Sequence, residues 1–159
     1  MSLLTEIQQQ AGARLTAQAF FSDVAAAGVP KPLAVLTEQI GDLQGRVRQS
    51  LGQLGIVCVV LTPTARATNR DRVRPYFDEV KLVVRTQENV VLNRAASGTG
   101  QPASLVAEAA AWFLHGFVPA GVGGTLFLEE IRLVADTRLL VYETVFTFQA
   151  GLKKKPTRL

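Results

Sequence analysis

Hydrophobic residues recur at helical spacing at the start of the chain: Leu4, Ile7, Ala11, Leu15 and Ala19 fall three or four apart, with Glu6, Gln9, Gln10, Arg14 and Gln18 on other faces. The pattern predicts an amphipathic helix over 3–20, with Ser2 as its N-cap. Pro30 and Pro32 then break it, because each removes a backbone donor. A second periodic set, Leu36, Ile40, Leu43, Val47, Leu51 and Leu54, predicts a second helix, weakened by Gly41, Gly45 and Gly52. The β-branched run from Ile56 to Leu61 ends at Pro63 and reads as a strand buried on both faces. Residues 64–75 read as a long loop holding Arg66, Arg70, Arg72 and Arg74 against Asp71.

From Phe77 to Thr86 the pattern alternates: Val80, Leu82 and Val84 share one face, and Glu79, Lys81, Val83 and Arg85 the other, which is expected to be wet or to meet a polar partner. Residues 89–101 read as a linker with Gly98-Thr99-Gly100 at its centre. A helix from Pro102 to His115 follows, with Glu108 as its one carboxylate. A helix that is apolar nearly all round needs cover on more than one side. Leu126 to Val134 and Arg138 to Gln149 then read as an antiparallel hairpin, with Tyr142, Phe146 and Phe148 on one face. The segment beyond Gly151 reads as a loose tail.

Composition narrows the function classes. A chain of 159 residues, 48% hydrophobic and 19% charged, fits one ordered domain. The net charge of +4 comes entirely from Lys153, Lys154, Lys155 and Arg158, because the body before them carries equal numbers of acids and bases. The basic balance is therefore weak evidence for nucleic-acid binding. One cysteine excludes an intrachain disulfide framework, and one histidine beside it leaves a Cys/His zinc site two ligands short. The N-terminus lacks the basic flank and apolar run of a secretory signal, and no stretch approaches the roughly 20 apolar residues of a membrane span. The chain is expected to be soluble, with no membrane partner.

Candidate chemistry is sparse. Gly98-x-Gly100-x-x-Ala103 has the letters of a dinucleotide-binding turn, but Asn89 to Ala96 separate it from the preceding strand, so a loop is the better reading. His115 is the one possible imidazole base, and no serine lies in a nucleophile-elbow pattern. A histidine in the last helical turn also complements the helix dipole. Glu129 and Glu130, adjacent on a strand, are expected to point to opposite faces and so not to share acid/base work. Trp112 and Phe113 read as core or interface, and the arginine loop as solvated or as a contact for phosphate or a neighbouring subunit. No catalytic residue, metal ligand or cofactor site is assigned.

The stretch from Val80 to Phe117 resembles the tail-terminator, or tail-completion, proteins of tailed bacteriophages. It has a strand ending near Glu88-Asn89, then Asn93-Arg94, the Gly98-Thr99-Gly100 linker, and an apolar helix closing with Leu114-His115-Gly116-Phe117 and Pro119. The order of the other elements is compatible over most of 1–150, while 28–54 and the tail match nothing in the pattern. The resemblance implies an α+β protomer: one domain over 1–151, with a mostly antiparallel sheet of about four strands packed by two or three helices, and a flexible basic tail over 152–159. It implies a non-enzymatic virion protein without cofactors, found at the junction of tail and neck and made in the cytoplasm of a bacterial host. Its copies would form a ring, commonly of six, that caps the tail tube and offers a surface to the neck proteins.

On that implication Arg66, Arg70, Arg72, Arg74, Arg94, Trp112, Phe113, Lys153, Lys154 and Lys155 become candidates for contact with the next subunit, the tube, or DNA passing through the lumen. The rival readings are a head-side connector or neck protein, a small enzyme using His115, and a nucleic-acid-binding module.

Overall fold

The computed structural model describes residues 2–22, 24–26, 29–31, 33–38, 41–67, 73, 76–95, 101–135 and 138–151. Helix α1, Leu3–Thr16, starts as the sequence predicts, with the Ser2 hydroxyl accepting the Thr5 N–H at 3.1 Å. Ile7, Ala11 and Leu15 form its buried stripe. A short helix α2, Ala19–Ser22, sets Phe21 into the core. Strands β1 (Val24–Ala26) and β2 (Val29–Lys31) then form a separate antiparallel ribbon, in a stretch that the sequence marks only as a break.

The predicted second helix is half right. Its first part is strand β3, Val35–Thr37, and the helix α3 is confined to Leu43–Leu54, capped by Asp42. Three residues are too few to tell a two-residue period from a four-residue one. What decides is distant in sequence: β3 lies parallel to β4, Ile56–Val60, with Leu36 opposite Val59. The predicted arginine loop begins with strand β5, Thr64–Arg66, followed by the long strand β6, Tyr76–Glu88. The predicted linker contains a one-turn helix α4, Val90–Arg94, and Gly98 to Gly100 lie outside the described residues. Helix α5, Ala103–Leu114, and the hairpin of β7, Phe127–Ala135, and β8, Leu140–Gly151, match their expected places.

The sheet is larger than expected and mixed. Among the described residues six strands form it, in the order β3-β4-β6-β8-β7 with β5 pairing β6 beyond the end of β4, and the β3–β4 pair is parallel. Among the described residues five helical segments accompany it, in place of two or three. Helices α1 and α5 cover one face, called inner here, where Ile56, Cys58, Val60, Val80, Leu82, Val84, Phe146 and Phe148 make the main core. Helix α3 covers the outer face only over β3 and β4, packing Leu43, Val47 and Leu51 on Leu36, Val57 and Val59. Strand β4 is thus buried on both faces, as its uninterrupted apolar run predicts, and burial pushes the Cys58 thiol up to about 12.

Two connections hold the ends of these elements together. Gly55, in the left-handed region at φ 76°, ends α3, and its carbonyl accepts the Asn89 N–H at 2.8 Å, joining β4 to the start of α4. Across the linker, the buried Glu88 carboxylate accepts the Asn93 side-chain amide at 2.9 Å and the Ala103 backbone N–H at 2.8 Å. Ala103 is the first residue of α5, so this carboxylate meets the positive end of the helix, where Pro102 offers no capping side chain.

Candidate assembly interface

Helix α5 buries one stripe, Ala103, Val106, Ala107, Ala110, Ala111 and Leu114. Its alanines bring the backbone close to β8, near enough for the Thr144 hydroxyl to donate to the Ala107 carbonyl at 3.2 Å. The opposite face, Leu105, Glu108 and Trp112, has no cover among the described residues, and Trp112 is 81% exposed. The apolar-all-round pattern asks for a second cover, and the described residues do not supply it. Phe113 takes a different place, half-buried with its ring edge-on to Phe21 at 6.3 Å.

Beside this face runs β7, the outermost strand of the sheet at that side. Phe127, Leu128, Ile131, Leu133 and Val134 are all exposed along its nine residues. Long apolar edges invite further strand pairing unless blunted, and apolar side chains bared together mark surfaces made for contact. One of the edge's backbone groups is occupied: the Leu128 N–H donates to His115 Nδ1 at 3.1 Å, and the ring stands edge-on to Phe127 at 5.8 Å. With Nδ1 accepting, the neutral ring carries its proton on Nε2. His115 is also the C-cap of α5. The single imidazole is thereby placed as a brace between helix end and strand edge.

The expectation for Glu129 and Glu130 is corrected. The register between β7 and β8 shifts between Leu128 and Glu130, and this bulge turns both carboxylates to the outer face. Glu129 meets Lys81 Nζ at 3.4 Å, and Glu130 meets Arg132 at 3.2 Å. Lys81 also reaches Glu79 at 3.3 Å. At the centre of this face Glu143 receives Arg85 at 2.8 Å and Arg132 at 2.6 Å, one guanidinium on each oxygen. Burial works to raise the Glu143 carboxyl, and the bonds from Arg132 and Arg85 overcome it and hold it below the usual range. The polar face expected of β6 is therefore an internally paired set of charges.

Of the arginines proposed for contact, Arg66 is exposed on β5, opposite Glu79 in the ladder. Arg70, Arg72, Arg74, Lys153, Lys154 and Lys155 lie outside the described residues. Arg94 ends α4 with its guanidinium 3.8 Å from Glu88. The structure does not bring Arg66, Arg94 and Trp112 into one cluster; they sit on β5, α4 and α5. Sequence reasoning missed the partnership of Arg85, Arg132 and Glu143, and the bare apolar row on β7. A signal for the first was present, since Arg85 and Glu143 both occupy polar positions in alternating strands, but it takes the strand register to join them. Among the described residues no three His, Cys, Asp or Glu side chains gather closely enough to hold a metal.

No family model and no curated protein matches the chain. Its fold is similar to that of a chain from the solved virion of a native gene transfer agent particle, with a TM-score of 0.59 over 91% of this chain and 94% of that one, at 16% sequence identity.

Proposed function

We propose that this chain is a non-enzymatic structural protein of a phage-like virion, a tail terminator whose copies form a ring at the upper end of the tail tube. The ring stops tube growth and presents the surface on which the neck proteins of the filled head attach. The observation that carries the reading is the unpartnered face of α5 and β7, where Trp112 and a row of β7 side chains lie bare on a fold shared with a virion chain. Such a face costs solubility in a free monomer and is removed from water by assembly. His115, held against the Leu128 amide, and the paired outer-face charges are accounted for without a reaction.

Electron microscopy of the purified protein, with mass measurement in solution, tests the proposal. Rings with a central hole are expected, and removal of the gene from its particle should yield tails of uncontrolled length. A protein that stays monomeric even with tube ends present would overturn it. A head-side connector is the competing assignment, and the position of the chain in a particle map separates the two.

A further inference from the structure

The chain that leaves α5 runs back beside the start of β7. The Gly116 N–H donates to the Leu126 carbonyl at 2.7 Å, and the Leu126 N–H donates to the Phe117 carbonyl at 2.9 Å, as in a short strand pair. At the next place along, a side chain takes over from the main chain: the Leu128 N–H donates to His115 Nδ1 at 3.1 Å. The imidazole stands where a backbone carbonyl would, and unlike a carbonyl it takes a proton near neutral pH. His115 is exposed, so that proton has free access.

A second proton on the ring turns Nδ1 from acceptor into donor and sets N–H against N–H. Turning the ring over does not rescue the bond, because Cδ2 then faces the amide. The charged ring has another attraction, since His115 caps the C-terminal end of α5, where the helix dipole favours a cation. We propose that His115 is an acid-sensitive latch on the edge of β7. The neutral ring closes the Leu128 amide; as pH falls between about 8 and 5 the protonated ring lets go and adds that amide to the edge open to pairing with another chain.

The charged groups around the ring leave the latch to its own proton. On α1, Arg14 reaches the Phe113 carbonyl at 3.4 Å and lies 5.6 Å from the centre of the Phe117 ring. On α5, Glu108 stands about two turns before His115. On β7, Glu129 is held on the outer face by Lys81. Residues 116–126 contain no charged side chain. Among the described residues no carboxylate pairs with the imidazole. Release is also local, because the same loop has a second anchor that does not titrate: the Gln10 side chain donates to the Ala120 carbonyl at 2.9 Å and accepts the Ala120 N–H at 2.6 Å. The latch does not depend on the ring reading above.

NMR of the isotope-labelled full-length chain at about pH 8 and about pH 5.5 tests it. At the higher pH His115 is expected as the Nε2–H tautomer with the Leu128 amide protected. At the lower pH the Leu128 protection factor, corrected for the intrinsic pH dependence of exchange, should fall about tenfold, to the level of His115→Ala. His115→Asn keeps a short acceptor that does not titrate in this range, so its Leu128 protection should be the same at both. Phe146, whose amide turns toward β6, should stay slow throughout. Parent protection at Leu128 that ignores pH, an Nδ1–H tautomer at the higher pH, an acid loss in His115→Asn equal to the parent's, or a matching loss at Phe146 would each overturn the latch. None of these results bears on the ring, which is decided by the mass and shape of the assembled protein.

Discussion

Glu88 and Ala103 are fifteen residues apart, yet the carboxylate of one accepts the backbone N–H of the other at 2.8 Å in a fully buried site. The bond closes the segment between β6 and α5 and gives the helix the cap that Pro102 cannot provide. Replacing Glu88 with Ala strands the Ala103 N–H and leaves the Asn93 amide with the Gln101 carbonyl as its remaining acceptor, and should lower unfolding free energy by about 2–4 kcal/mol. Glu88→Gln keeps one acceptor and should cost less. Urea denaturation measures both; equal losses would show that the bond to α5 is not what the carboxylate contributes.

Glu143 sets an acid limit to stability. Its carboxyl titrates lower in the folded chain than in the unfolded one, so its contribution is full above the unfolded carboxylate range and is lost as pH falls through the folded value. The Glu38 carboxyl, lowered by the Thr62 N–H, adds in the same direction. Melting temperature should therefore fall between about pH 5 and pH 3, and Glu143→Gln should flatten that fall while lowering stability at neutral pH. A Glu143→Gln variant whose acid slope matches the parent's would contradict this.

Two glycines near the end of α3 should respond in opposite directions. Gly52 faces open space in the helix, so Gly52→Ala should stabilise by up to about 1 kcal/mol. Gly55 lies at φ 76°, and a Cβ there would run into the backbone of Asn93. Gly55→Ala should cost more than about 2 kcal/mol, from the left-handed backbone and the displaced α4 together. Thermal melts of the two chains decide, and a shift of the same sign for both would refute it.

His115 is predicted to protect an amide. In His115→Ala, hydrogen exchange at Leu128 should accelerate while exchange at Phe146, its partner on β8 whose amide turns toward β6, stays slow. Unchanged exchange at Leu128 would mean that the ring does not occupy the edge in solution.

These relationships differ in how far the amino-acid order reveals them. Helix α5 and the strands β4, β6 and β8 are legible because each repeats its period over many residues, or runs apolar without interruption between clear breakers. Strand β3 hides inside a helical pattern because Leu36 stands four before Ile40, and its pairing with β4 comes from a contact more than twenty residues distant. A regular strand would set Glu129 and Glu130 on opposite faces, and the bulge that overrides this has no dependable letter code. The candidate interface is half legible. The over-apolar α5 announces a missing cover, but which of Trp112 and Phe113 faces out depends on where α2 carries Phe21.

The last described strand in sequence, β8, is not the last in the sheet. β8 lies between β6 and β7, so the row of strands is broken in two until residues 140–151 arrive. A chain emerging from the ribosome therefore holds β7 without its neighbour and α5 without the floor that β8 gives it. The bare face of α5 and β7 takes shape only once residues 140–151 have been made, so a chain cut short of them lacks that face by topology alone.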